Sequence, residues 1–106
     1  VSKGALVALT RTAALELAPT GVRCNAVLPG AVVTQMLLDG LGRRSGPEGA
    51  SRGLGELAAR TPLGRVADPD EIVPTVVLLA DGTRSGYLTG QSIVIDGGAS
   101  LRLSTE

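Results

Sequence analysis

The chain contains no histidine, no tryptophan and no phenylalanine, and among its 106 residues it has one tyrosine, one cysteine, one methionine and one lysine. Each shortage removes a class of chemistry. Without histidine, no Ser–His or Cys–His nucleophile pair can be assembled from this chain alone. One cysteine and no histidine cannot supply the usual zinc ligand sets, so no metal site is expected. Cys24 has no second cysteine with which to close an intrachain disulfide, and nothing argues for secretion. Ten basic and ten acidic side chains cancel, and no basic run is present. No nucleic-acid partner is expected from such a balance. The longest apolar runs, at residues 5–9 and 76–80, are five residues long, whereas a membrane span needs about 20. No signal peptide is visible, and no membrane association is expected. The expectation is a cytoplasmic globular chain of about single-domain length.

What is present begins with a helix over residues 2–18. Leu6, Leu9, Ala13 and Leu17 recur at the spacing of one helical face. Other small or apolar residues occupy most of the remaining surface, so burial on more than one side is expected. Pro19 ends the helix, because the residue before a proline is steered out of helical geometry. Residues 22–28 read as a strand closed by Pro29-Gly30, with Cys24 as a buried, inert thiol. The stretch 39–60 carries six glycines and scattered charges. It reads as a long loop with one short helix near 54–59, either a lid or a disordered segment. Asp68-Pro69-Asp70-Glu71 combines an N-cap, a first-position proline and a capping box. That helix should run to about Ala80, with a kink at Pro74. Gln91 to Asp96 reads as a second strand, stopped by Gly97-Gly98. The tail 101–106 has no clear signal.

The order is helix, strand, long loop, helix, strand. Both strands are near-continuously apolar, as in parallel sheets covered on both faces. A crossover helix lies between them, as a parallel pair requires. Two strands alone leave unpaired edges. The expected fold class is therefore α/β, with residues 1–106 as the C-terminal portion of a larger domain. The start at Val1 rather than Met agrees.

Three stretches then fall in one order. Ser2-Lys3-Gly4-Ala5-Leu6 opens the first helix. Asn25-Ala26-Val27-Leu28-Pro29-Gly30 with Thr34 follows the first strand. Gly90-Gln91 through Asp96-Gly97-Gly98 forms the last strand and its turn. With Gly64-Arg65 and Pro69 before the capped helix, the set resembles the C-terminal part of a short-chain dehydrogenase/reductase over essentially the whole chain. The resemblance implies a doubly wound, Rossmann-like parallel sheet that binds NAD or NADP. It implies hydride transfer between the nicotinamide and a small-molecule alcohol/carbonyl substrate. Lys3 matches the catalytic lysine, which also binds the cofactor ribose and tunes a tyrosine four residues before it. By resemblance, Pro29, Gly30, Val32 and Thr34 border the nicotinamide. The Val32 backbone would bond the carboxamide, and the Thr34 hydroxyl the carboxamide or the pyrophosphate. Gln35, Met36 and Leu37 would open the variable substrate loop at 39–61. The resemblance also implies a homodimer or homotetramer, with the Lys3 helix against its mate.

The partner tyrosine would precede Val1, and the serine and Gly-rich phosphate loop also have no match here. Tyr87, in the connector before the last strand, cannot replace that tyrosine. The 106 residues alone are therefore expected to be inactive. A divergent enoyl-reductase-like relative stays open, as does a non-enzymatic remnant or oligomerisation module of the same fold. Asn25 is expected to be structural, and Asp96-Gly97-Gly98 to be a turn rather than a metal or phosphate site. Substrate, oligomer order and the choice between NAD and NADP are not legible.

Overall fold

The computed structural model describes residues 2–102, with the side chains of 44, 45 and 47 not among those described. The elements are α1 (Lys3–Leu17), β1 (Ala26–Pro29), α2 (Gln35–Arg60), α3 (Val73–Ala80), α4 (Gly82–Ser85) and β2 (Ser92–Ile95), with short 3-10 turns at Ala18–Thr20, Pro69–Glu71 and Ala99–Leu101. β1 and β2 pair directly. The Ala26 amide donates to the Gln91 carbonyl at 2.8 Å and the Gly30 amide to the Ile95 carbonyl at 2.9 Å. The partner number rises with the strand number, which is parallel pairing. The α/β class read from the sequence is the observed one. The chain divides into two compact units, one of residues up to Leu28 with Val73–Val94, the other of Pro29–Ile72 with residues from Ile95.

In the first unit, α1 is capped by Ser2, whose hydroxyl accepts from the Ala5 amide at 3.2 Å. Its buried positions are Thr10 and Ala14. The Thr10 hydroxyl turns inward to donate to the Leu6 carbonyl at 2.8 Å. Leu6, Leu9 and Leu17, on the face expected to be buried, are exposed in this chain, Leu9 at 63%. Small residues on the inner face permit a close approach: a Cβ added at Gly90 would lie 3.4 Å from the Ala14 methyl.

The first strand is shorter than the pattern suggested. Residues 23–25 are held instead by bonds to the connector before β2. The Arg23 guanidinium donates to the Ser85 carbonyl at 3.0 Å and to the Ser85 hydroxyl at 3.1 Å. Asn25 donates to the Leu88 carbonyl at 2.8 Å and accepts from the Gln91 amide at 3.0 Å. That clamp sets the register of the strand pair, which is a structural task. Cys24 lies outside the strand and is half-buried, not buried as expected.

The helix expected from Asp68 through Ala80 is two pieces. Asp68 and Glu71 form the anticipated capping box, but around a 3-10 turn. The α-helix begins only at Val73. Pro74 therefore sits in a first turn, where its missing N–H breaks no helical bond, and there is no kink to explain.

In the second unit, the largest departure from expectation is α2, where a loop was anticipated. Thr34 caps it, accepting from the Leu37 amide at 3.2 Å. The helix is interrupted at Gly46, whose φ of 73° and ψ of −172° are non-helical. A Cβ at Gly53 would lie 2.6 Å from a Leu41 methyl. Residues twelve apart in a straight helix stand ~18 Å apart. The two halves are therefore folded back on one another, with Gly46 as the break and Gly53 as the packing notch. The glycines that resembled loop signals are parts of a helical hairpin. Of the C-terminal tail, residues 103–106 lie outside the described residues.

Glu71 also joins the two sides of the turn before α3. Arg65 grips its carboxylate with both terminal nitrogens, at 2.8 and 2.6 Å, and the Asp68 amide donates to it at 2.7 Å. The Arg65 hydrogen bond, followed by the Asp68 amide, pulls the Glu71 carboxyl from 4.5 down to about 2. A depressed carboxyl stabilises the fold above its ordinary range, and that contribution is lost as pH falls from about 4.5 through about 2. An NMR titration of the Glu71 carboxyl should give a midpoint near 2. In Arg65→Ala the midpoint should rise yet stay below the ordinary value, because the Asp68 amide remains. An unmoved midpoint in that variant would refute the assignment of the shift to Arg65.

Candidate functional site

The residues after β1 form one wall of a cleft. Ala31 and Val33 pair with Ala67: the Ala67 amide donates to the Ala31 carbonyl at 3.2 Å, and the Val33 amide to the Ala67 carbonyl at 2.8 Å. This is an isolated parallel bridge centred on Val32 and Ala67. Alternate peptide groups of an extended chain point to opposite edges. Pairing with Ala67 therefore directs the Val32 amide and carbonyl away from Ala67. Neither has a partner among the described residues.

Thr34 completes that edge. Its hydroxyl oxygen is committed as acceptor to the Leu37 amide, but a hydroxyl carries one hydrogen to donate as well. It stands at the N-terminus of α2, where the helix dipole favours negative charge.

Pro29, Gly30, Val32 and Thr34 all line a cleft of about 890 Å³ within the second unit. Met36 and Leu37 line it too, Met36 being largely exposed. Gln35 does not. Its side-chain amide donates to Asp39 at 2.8 Å along the outer face of α2. Leu41, Gly53 and Leu57 bring both halves of the α2 hairpin to the cleft, and Arg43, Glu56 and Arg60 are its charged members. The last group was not singled out from the sequence. Nothing in a Gly-rich stretch shows which of its charges a hairpin will turn inward.

Gly30 has a reason of its own. A Cβ there would lie 2.8 Å from the Asp96 Cβ and 2.9 Å from its Cα. The strand beside it leaves no room for a side chain at Gly30. Asp96 in turn accepts from the Gly98 amide at 2.9 Å and the Ser100 amide at 2.8 Å. Hydrogen bonds from Ser100, then from Gly98, hold its carboxyl below the usual carboxylate range. Asp96-Gly97-Gly98 is thus a self-satisfied turn. Among the described residues no cluster of three potential metal ligands exists.

Lys3 belongs to the first unit. It is the first residue of α1 and is exposed.

The family model for enoyl-(acyl carrier protein) reductase matches residues 1–100. The chain is 44% identical over 101 residues to oxidoreductase UcpA of Salmonella typhimurium, covering 95% of this chain and 38% of that protein. It is 35% identical over 102 residues to L-rhamnose 1-dehydrogenase (NAD(P)(+)) of Azotobacter vinelandii, covering 96% of this chain and 37% of the other. In three dimensions it superposes on a short chain dehydrogenase family protein from Francisella tularensis with a TM-score of 0.86 and 32% identity, over 94% of this chain and 42% of that one. The chain thus spans well under half the length of these relatives.

The Gly30→Ala substitution should destabilise the fold by ~1–3 kcal/mol, the usual cost of overpacking, since the obstructing atoms are backbone and Cβ of Asp96. Urea denaturation measures this, and an unchanged midpoint would contradict the close approach.

Proposed function

Since the chain belongs to the short-chain dehydrogenase/reductase family, we propose that it contributes the lysine and the nicotinamide-bordering edge of an oxidoreductase using NAD or NADP. The observation that carries this reading is the free edge of Val32 beside the Thr34 hydroxyl, both in one cleft. A primary carboxamide offers one carbonyl acceptor and two N–H donors. The Val32 amide can serve the first, and the Val32 carbonyl the second. The Thr34 hydroxyl adds a further donor at the positive end of α2, suited to the carboxamide or to the pyrophosphate. The residues present therefore fit the cofactor.

When bound, the cofactor supplies or accepts the hydride. This chain's part is to orient and to tune. Val32 and Thr34 hold the ring in one orientation, so that one of its faces meets the substrate. Lys3 supplies a cation that favours the phenolate of the family's tyrosine, four residues before it on the same helix face. It also bonds the ribose and passes protons. The substrate is a small alcohol or carbonyl compound, received by the cleft beside α2, with Met36 and Leu37 at its entrance. Gln35 acts there through Asp39, as a support for the helix start.

The proposed homo-oligomer is supported by the outward leucines of α1 and by α3, where Val73, Val76, Val77 and Leu78 are all exposed, faces that the rest of a larger domain would also cover. Such faces need cover. The same exposure is what an oligomerisation module without catalysis would show, and this is the second reading. No helix among the described residues is long and apolar enough to cross a membrane, and the proposed compartment is the cytoplasm.

Two measurements test the enzyme reading. In the active oxidoreductase, Lys3→Ala should lower kcat/KM at least 100-fold, and a near-wild-type value would refute the role of Lys3. The 106-residue chain by itself should show no NAD(P)H turnover, since it has Lys3 without the family's tyrosine and serine; measurable turnover would overturn this. Upstream sequence carrying the tyrosine and the Gly-rich loop would favour the enzyme over the assembly module.

A further inference from the structure

The cleft beside α2 is mostly apolar where the hairpin lines it, through Met36, Leu37, Leu41 and Leu57. Its three charged members are not equivalent. Glu56 and Arg60 are four residues apart, on one face of the returning half, where opposite charges offset each other. Arg43 stands on the outgoing half. No acidic residue of the cleft shares that half with it. Asp39 lies one turn before Arg43, but it does not line the cleft and forms no ion pair with Arg43. Among the described residues the ion pairs are Arg65–Glu71 and Arg84–Asp81, neither involving Arg43. Arg43 follows Thr34 by nine residues, which is ~14 Å along a helix axis. An exposed guanidinium in no ion pair among the described residues thus lies well down the apolar wall from the Val32 and Thr34 edge.

We propose that this cleft selects an amphipathic oxyanion, in which a carboxylate or phosphate remote from the reacting carbon is taken by Arg43 while the apolar body lies against the hairpin. Guanidinium presents paired donors that match either oxyanion, and apolar walls strengthen such a contact. Arg43 is then a specificity-determining residue. The inference rests on the reading that this cleft receives the substrate.

The test is equilibrium binding to the 106-residue chain without cofactor, by calorimetry, using octanoate, octyl phosphate and 1-octanol. Octanoate or octyl phosphate should bind at least tenfold more tightly than 1-octanol, and the better of the two identifies the oxyanion. Arg43→Gln should abolish that preference while leaving 1-octanol binding in place, which also shows that the variant is folded. Arg43→Lys should keep most of the preference. The proposal is overturned if 1-octanol binds as tightly as both anions, if Arg43→Gln changes nothing, or if none of the three binds. NAD(P)H binding by the active oxidoreductase, compared between wild type and Val32→Pro, decides the cofactor reading: unchanged binding there with oxyanion selection intact would sink that reading and spare this one.

Discussion

The pairing of β1 with β2 is the constraint on which the other features depend. At one end Asn25 bonds both the Leu88 carbonyl and the Gln91 amide, so the second strand can enter in only one register. At the other end Gly30 lies so close to Asp96 that even a methyl group has no room. A slip of one residue would bring Pro29 or Ala31 opposite Asp96. Proline could not supply the amide that Gly30 donates to Ile95, and alanine would collide. The register in turn decides where the chain leaves the strand, and hence which peptide groups after Gly30 pair with Ala67 and which stay free.

That explains why some parts were legible in the sequence and others were not. Caps and turns are local, and the Asp68–Glu71 box and the Asp96-Gly97-Gly98 turn were readable because each is closed by atoms within a few residues. The parallel pair was readable from apolar runs separated by a crossover. The buried side of α1 was not. With leucines and alanines on nearly every face, periodicity does not single one out, and the small residue Ala14, not the leucines, meets the connector at Gly90. The same holds for α2. Six glycines look like a loop when each is weighed alone. Gly53 is needed because Leu41 sits on it, a contact between residues far apart in sequence that no local rule contains.

The candidate site divides along the same line. Lys3, Pro29, Gly30, Val32 and Thr34 were singled out by resemblance, and for Gly30 the fold supplies a reason of its own. Its bareness serves the neighbouring strand, so a glycine in a Pro-Gly turn is not by itself a sign of close ligand approach. Arg43 had no signal at all. Its setting is made by the fold-back at Gly46, and without that break residues 41 and 53 would never meet.

Thr34 shows why one residue type can be demanded twice at one position. Its oxygen accepts from the Leu37 amide to start α2, and on the proposed reading its hydrogen remains to donate into the cleft. Valine matches its shape but can do neither. Aspartate would cap the helix as well as threonine does, but it has no hydrogen to donate and would set a negative charge where a pyrophosphate is expected. Asparagine caps and can donate, but its amide reaches further from the backbone than a hydroxyl. Serine meets both demands, though it lacks the branched methyl that restrains χ1. On the proposed reading the hydroxyl is thus set by two requirements, one from the helix and one from the cleft, and only the first of them is visible in a capping rule.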